Sequence, residues 1–171
     1  MPDKIFLLGL PGAGKTTVGK KLAADLKYEF VDLDDAIEKA NDKSIGELFE
    51  LGEPHFRLKE TEALREVIAN GHDLVIACGG GTPCFNDNLQ LMKKSGATLF
   101  LDMPLDLIAS RIENQTHRPL MQGSSFASRL LELSKARRRY YIQADLTFSD
   151  VDLSSEKVIA AMKGLKHKAK S

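Results

Sequence analysis

Short apolar runs that end in glycine or aspartate alternate along this chain with longer stretches whose apolar residues recur every three or four positions. The first run, Ile5, Phe6, Leu7 and Leu8, is continuous and predicts a buried strand; Val18, Leu22, Ala23 and Leu26 then recur at helical spacing. A second short strand over residues 30–34 runs into Asp32 and Asp34, after which Ala36, Ile37 and Ala40 resume the helical period. Residues 41–71 predict a helical insertion. Ser44 caps one helix with Glu47 in the capping-box position, and Ile45, Leu48, Phe49 and Leu51 form its apolar side. Gly52 and Pro54 interrupt it, and a longer helix follows over 55–70, with Phe56, Ala63, Leu64, Val67 and Ile68 inward and Gly71 as its stop. The remaining pattern predicts strands over 74–78, 97–101 and 146–148 and helices over 86–94, 105–111, 126–141 and 154–165. Regular alternation of strand and helix implies right-handed βαβ units: an α/β fold with a parallel sheet and helices on both faces.

Length and composition add bounds to this picture. A chain of 171 residues that is 43% hydrophobic can bury one proper core, so a single domain is expected. Lys and Arg total 24, as do Asp and Glu, so the overall field gives no reason to expect nucleic acid or an anionic membrane as partner. The N-terminal apolar run is shorter than a signal-peptide core and no stretch approaches membrane-spanning length, which predicts a cytoplasmic protein. Cys78 and Cys84 form neither a disulfide framework nor a zinc pattern; Cys78, closing a strand, is expected in the core and Cys84 in a surface loop. The basic tail, 166–171, is expected to fray.

The chemistry is concentrated in GLPGAGKTT, residues 9–17, directly after the first strand and opening the first helix. It fits G-x-x-x-x-G-K-[ST]: glycines let backbone N–H groups wrap an anion, the helix start adds partial positive charge, Lys15 reaches the terminal phosphates, and the Thr16 hydroxyl is a magnesium ligand. A dinucleotide-binding turn is the nearest rival, with Gly12 and Gly14 as G-x-G, but its third glycine position holds Thr17. Asp32 and Asp34, read as a strand's carboxyl end, fall beside this loop, and Asp34 or Asp35 also suits a helix cap. Arg57 and Glu60, three apart on a helix, read equally well as a solvated surface pair. Gly79, Gly80 and Gly81 admit the close approach of a ligand or of another stretch of backbone.

Residues 113–125 are polar and cannot pack by themselves, so they predict a moving lid, with Arg118 at its centre placed to reach a transferring phosphate. The helix over 126–141 is basic, and one of Arg137, Arg138 and Arg139 should point back to the sheet's carboxyl edge. Together these are the parts of a small-molecule kinase. Lys15, Mg²⁺ and Arg118 neutralise the transferring phosphoryl group, Asp34 orients an acceptor hydroxyl and takes its proton, and two arginines suit an acceptor with a carboxylate.

These motifs, GLPGAGKTTVG, VDLDDAIE, SIGELFELGEPHFRLKE, the CGGG turn and THRPLM, together resemble the shikimate kinases over nearly the whole chain. The resemblance implies a three-layer P-loop kinase fold of the nucleoside monophosphate kinase type, with a five-stranded parallel sheet. It divides one domain over 1–171 into a core, a helical substrate-binding region at about 33–62 and a lid at about 112–125. It implies phosphorylation of the 3-hydroxyl of shikimate by ATP in the pathway to chorismate and the aromatic amino acids, in a cytoplasmic monomer with one Mg²⁺. By motif, Gly12, Ala13, Gly14, Lys15, Thr16 and Thr17 would hold ATP phosphates, and Thr16 and, through water, Asp32 would hold magnesium. Arg111 would stack on adenine and Arg118 would be the lid arginine. Shikimate would meet Asp34, Phe49, Phe56, Arg57, Glu60, Gly79, Gly80 and Gly81. One departure stands out. The family's R-x-P-x-Y is here Arg137, Arg138, Arg139, Tyr140, Tyr141; aligning on Tyr141 selects Arg137 as the second carboxylate ligand, whereas aligning on Ala144 and Asp145 puts Ala136 there. The alternative acceptor class is gluconate or another sugar acid.

Overall fold

A computed structural model describes residues 1–116 and 124–165, and its strands fall where the apolar runs predict them. The order is β1 (Lys4–Leu8), α1 (Lys15–Leu26), β2 (Glu29–Asp32), α2 (Leu33–Asn41), α3 (Ile45–Glu50), α4 (Glu53–Asn70) and β3 (Leu74–Ala77). A 3-10 turn at Thr82–Cys84 leads into α5 (Asn88–Ser95), β4 (Ala97–Leu101), α6 (Leu105–Thr116), α7 (Ser124–Tyr141), β5 (Leu146–Phe148) and α8 (Ser155–Lys163). The five strands lie in the order β2-β3-β1-β4-β5 and every pair is parallel, with Phe6 of β1 opposite Ile76 of β3 and Thr98 of β4. β1, β3 and β4 are buried at every position, as expected of parallel strands covered on both faces; the edge strands β2 and β5 are only partly so. Because β1 is central, the glycine loop leaving it opens at the middle of the sheet's carboxyl edge, where ligands of such sheets bind.

Packing explains residues that the local pattern leaves unexplained. Gly19, in the interior of α1, lets the helix lie directly on β2: a methyl group there would stand 2.6 Å from Phe30 Cε2. Thr98, a polar residue in a central strand, is fully buried and gives its backbone N–H and its hydroxyl to the Asp145 carboxylate, at 2.9 and 2.8 Å. Glu38 of α2 accepts from the Ile45 N–H at 2.9 Å, which ties the start of α3 to α2.

Several element ends differ from the expectation, each for a local reason. β2 stops at Asp32, whose carboxylate caps α2 by accepting from the Asp34 N–H at 3.0 Å. Asp34 therefore sits in the first helical turn and not at the strand's end, and the cap is Asp32 rather than Asp34 or Asp35. α4 starts at Glu53 and takes Pro54 into its first turn, where a missing N–H costs nothing. α5 starts only at Asn88, because Asn86 and Asp87 adopt φ of 52° and 56°. α6 runs on to Thr116, so the polar stretch read as a lid from about 112 begins in helix. Arg118 and its neighbours in THRPLM, like the tail 166–171, lie outside the described residues. Among the described residues no helix is long and apolar enough to cross a membrane.

Candidate active site

The glycine loop owes its shape to Gly9, Gly12 and Gly14, at φ of 145°, 81° and 95°. A methyl group on Gly9 would also stand 2.9 Å from the Leu101 carbonyl oxygen. Gly14 caps α1 without any side-chain hydrogen bond, so the helix's first N–H groups remain available to an anion. Lys15 folds back over the loop and donates to the carbonyls of Gly9 at 2.7 Å and Leu10 at 2.9 Å. Burial pushes its ammonium down to about 8; Asp34 and Asp32 pull the other way, and Arg137 adds to the depression. From α6, Arg111 donates to the Gly12 carbonyl at 3.2 Å. A cavity of about 840 Å³ opens in front of the loop, lined by Lys15, Thr16, Thr17, Asp32, Asp34, Gly79, Gly80 and Arg111. Residues 150–156, the loop after β5 and the start of α8, form another wall. That wall is anchored: the Ser155 hydroxyl donates to the Asp25 carboxylate at the end of α1, and Lys157 pairs with Asp150 at 2.6 Å.

Beyond Asp34 lies a second group of side chains, from α4 and the triglycine turn. Arg57 is 8% exposed and Glu60 1%; Arg57 Nη1 donates to Glu60 Oε1 at 2.8 Å, and the Thr82 hydroxyl donates to Glu60 Oε2 at 2.7 Å. The pair is therefore buried, and the solvated reading of its spacing is set aside. Arg57 Nη2 also meets Glu53 at 3.3 Å, on the exposed side. Phe49 and Phe56 stack at 4.1 Å, and Arg57 lies 5.7 Å and 5.1 Å from their ring centroids.

The triglycine turn brings these groups to the phosphate side. A methyl group at Gly81 would stand 2.5 Å from Arg57 Nη2, and one at Gly80 would stand 2.6 Å from Arg137 Nη1. At Gly79 it would meet Asp34 Oδ1 at 3.2 Å and Glu60 Oε2 at 3.4 Å. None of the three glycines has a positive φ. Small size is what the turn needs, and what presses closest against it is side chains rather than another stretch of backbone. The three candidate arginines of α7 separate cleanly. Arg138 forks onto Asp102 at 2.9 and 2.8 Å, Arg139 lies over the Tyr140 ring at 5.1 Å, and Arg137 reaches Gly80. Tyr141 fixes this end of α7 by donating its hydroxyl to the Gly80 carbonyl at 2.6 Å. Asp34 stands among these charges, and burial, then Asp32 and Glu60, push its carboxyl above the ordinary range, with Lys15 opposing.

The arrangement joins an anion cradle to a carboxylate that sits between it and two converging arginines. The family profile described as Shikimate kinase matches residues 11–164. Shikimate kinase of Bacteroides fragilis is 41% identical over 150 residues, spanning 85% of this chain and 83% of that protein. This chain belongs to the shikimate kinase family. Its fold agrees: the crystal structure of shikimate kinase from Bacteroides thetaiotaomicron superposes with a TM-score of 0.84 at 35% identity, covering 95% of this chain and 97% of that one. The structure of shikimate kinase from Acinetobacter baumannii in complex with shikimate gives 0.82 at 33% identity, covering 96% of each chain.

The shikimate kinase motifs point to Asp34, Arg57, residues 79–81 and Arg137, and the structure brings these together. Phe49 is 40% exposed and reaches Arg57 only from the rim. Three participants escaped the sequence reading. Thr82, fully buried, bonds Glu60 from just beyond the glycines; Phe85 lies on Arg57; and residues 150–156 wall the cavity. Only Thr82 had a usable signal, a hydroxyl directly following the triglycine turn.

Proposed function

We propose that this member of the shikimate kinase family transfers the γ-phosphoryl group of ATP to the 3-hydroxyl of shikimate, acting as a cytoplasmic monomer of one domain with its lid over about 112–125. The observation that carries the reading is the convergence of Arg57 on Gly81 and Arg137 on Gly80. There they flank the turn that lines one cavity with Asp34 and the phosphate loop. The acceptor's carboxylate would sit between the two guanidinium groups, whose in-plane donors match its oxygens. Phe49, Phe56 and Glu60 would line and orient that subsite. Asp34 would hold the reacting hydroxyl in line with the γ-phosphate. In a loose transition state the hydroxyl keeps its proton until late, so Asp34 orients first and accepts the proton second.

The backbone from Gly12 to Thr17 would wrap the phosphates, and Lys15 would leave its carbonyl partners to neutralise the γ-phosphate. Arg111, which donates to the Gly12 carbonyl from α6, would stack on the adenine, and Arg118 would close the site from the lid. The donor set also fits magnesium. Thr16, Asp32 and Asp34 offer hard oxygen atoms to one cavity, where the charge of Asp32 adds to the burial that raises the Asp34 carboxyl. Thr16 and, through water, Asp32 would hold the ion, which when bound would supply positive charge to offset that of the terminal phosphates.

An ATP-consumption assay with shikimate, quinate, gluconate and nucleoside monophosphates in parallel tests this reading. Turnover is expected with shikimate; turnover with gluconate and not shikimate would overturn it. Gly81→Ala tests the acceptor subsite. The added methyl group would stand 2.5 Å from Nη2 and 2.9 Å from Cζ of Arg57, so the guanidinium must move. Steady-state kinetics should show KM for shikimate raised about tenfold or more with KM for ATP unchanged.

A further inference from the structure

The carboxylate-facing arginine is held by more than its ion pairs. Phe85 places its ring centroid 4.1 Å from Arg57 Cζ, nearer than Phe56 or Phe49. Phe85 is 36% exposed and lies outside the buried core. The segment that carries it is strapped to α4 around the same arginine. At its start the Thr82 hydroxyl bonds Glu60, the partner of Arg57. After the ring, Asn86 Nδ2 donates to the backbone carbonyl of Arg57 at 3.2 Å and to the Thr61 hydroxyl at 3.1 Å. The strap then turns through Asn86 and Asp87, two successive non-glycine residues at positive φ. The fully buried Asn88 closes it, its N–H bonding the Phe85 carbonyl and its amide the Thr82 carbonyl, both at 3.0 Å. Asn and Asp take this positive-φ conformation more readily than other side chains, and neighbouring contacts hold it in place. Here the contacts made to α4 end on Arg57 or on Glu60 and Thr61, both of which bond Arg57, while those of Asn88 close the strap on itself.

We propose that Phe85 is a positioning residue for binding of the acceptor's carboxylate: its ring lies on the Arg57 guanidinium and fixes that plane. A guanidinium donates in its plane and is poorly hydrated on its faces, so an aromatic ring on one face removes rotational freedom without occupying a donor. The edges, where Glu60 and Glu53 now accept, are left to carboxylates. This inference rests on the reading of Arg57 as the carboxylate ligand.

The test compares wild type, Phe85→Leu and Phe85→Tyr by equilibrium binding of shikimate and by steady-state kinetics. Leucine keeps apolar bulk and loses the π face; tyrosine keeps both. Phe85→Leu should weaken shikimate binding about fivefold, with kcat and KM for ATP within twofold of wild type, and Phe85→Tyr should bind as wild type does. Unchanged shikimate affinity in Phe85→Leu, an equal loss in Phe85→Tyr, or a loss shared with ATP would each overturn the proposal. Failure of the functional reading looks different. If wild type phosphorylates gluconate and not shikimate, the same variants are compared on gluconate, whose carboxylate poses the same demand.

Discussion

Lys15→Ala is expected to lower kcat for phosphorylation of shikimate by about 10³-fold, since on the proposed reading it removes the lysine that would meet the transferring group from the phosphate loop. The fold should survive, because the loop's shape comes from Gly9, Gly12 and Gly14 and the lysine only borrows the carbonyls of Gly9 and Leu10. A titration accompanies the loss. Burial holds the ammonium at about 8, below its unfolded value of 10.5. The unfolded chain therefore binds more protons between these values, and the lysine's unfavourable contribution to stability is present in full below pH 8 and fades as pH rises to 10.5. Phosphates entering the cavity reverse the depression. At pH 8, ATP binding should take up about half a proton, measurable by calorimetry in buffers of different ionisation enthalpy. Lys15→Ala should abolish that uptake; if it persists, another group carries it.

The second large effect is expected at Asp34. Asp34→Asn should lower kcat by about 10²-fold or more, since the amide offers the acceptor hydroxyl no negative charge and takes no proton. The pH profile separates this from a packing defect. Burial and the neighbouring Asp32 and Glu60 raise the Asp34 carboxyl, so the acid limb of kcat/KM should lie above the ordinary carboxylate range, activity falling as pH drops through it. In Asp34→Asn that limb should flatten. An acid limb unmoved in the variant would assign it to a different group.

Readability from the chain followed the range of the interactions. The phosphate loop is local, a strand, a glycine turn and a helix start within one stretch, and it was plain from residues 5–26. Arg57 and Glu60 were not, because a spacing of three describes a surface pair and a buried pair alike; what buries this one is Gly81 and Thr82, far along the chain. Among Arg137, Arg138 and Arg139 the spacing to Tyr141 favoured the first, but only Asp102 and Gly80, on other elements, separate them. That Asp32 rather than Asp34 or Asp35 caps α2 turned on a single N–H, below what hydrophobic period resolves. Phe85 carried no periodic or motif signal, since its purpose is set by α4. The wall at 150–156 has no glycine signature and gains its place from Asp25.

That last contact fixes a dimension. α1 carries the phosphate loop at its start and Asp25 near its end, and Asp25 grips the first residue of α8, in the 150–156 wall of the cavity. With 12 residues, α1 is about 18 Å long and behaves as a single stiff strut. The phosphate loop and the 150–156 wall thus hang from one gauge. The acceptor side has no such gauge, since α2, α4, α7 and the triglycine turn each bring their own side chain. Point changes there can retune what is phosphorylated, while the length of the opposite compartment shifts only with the helix itself.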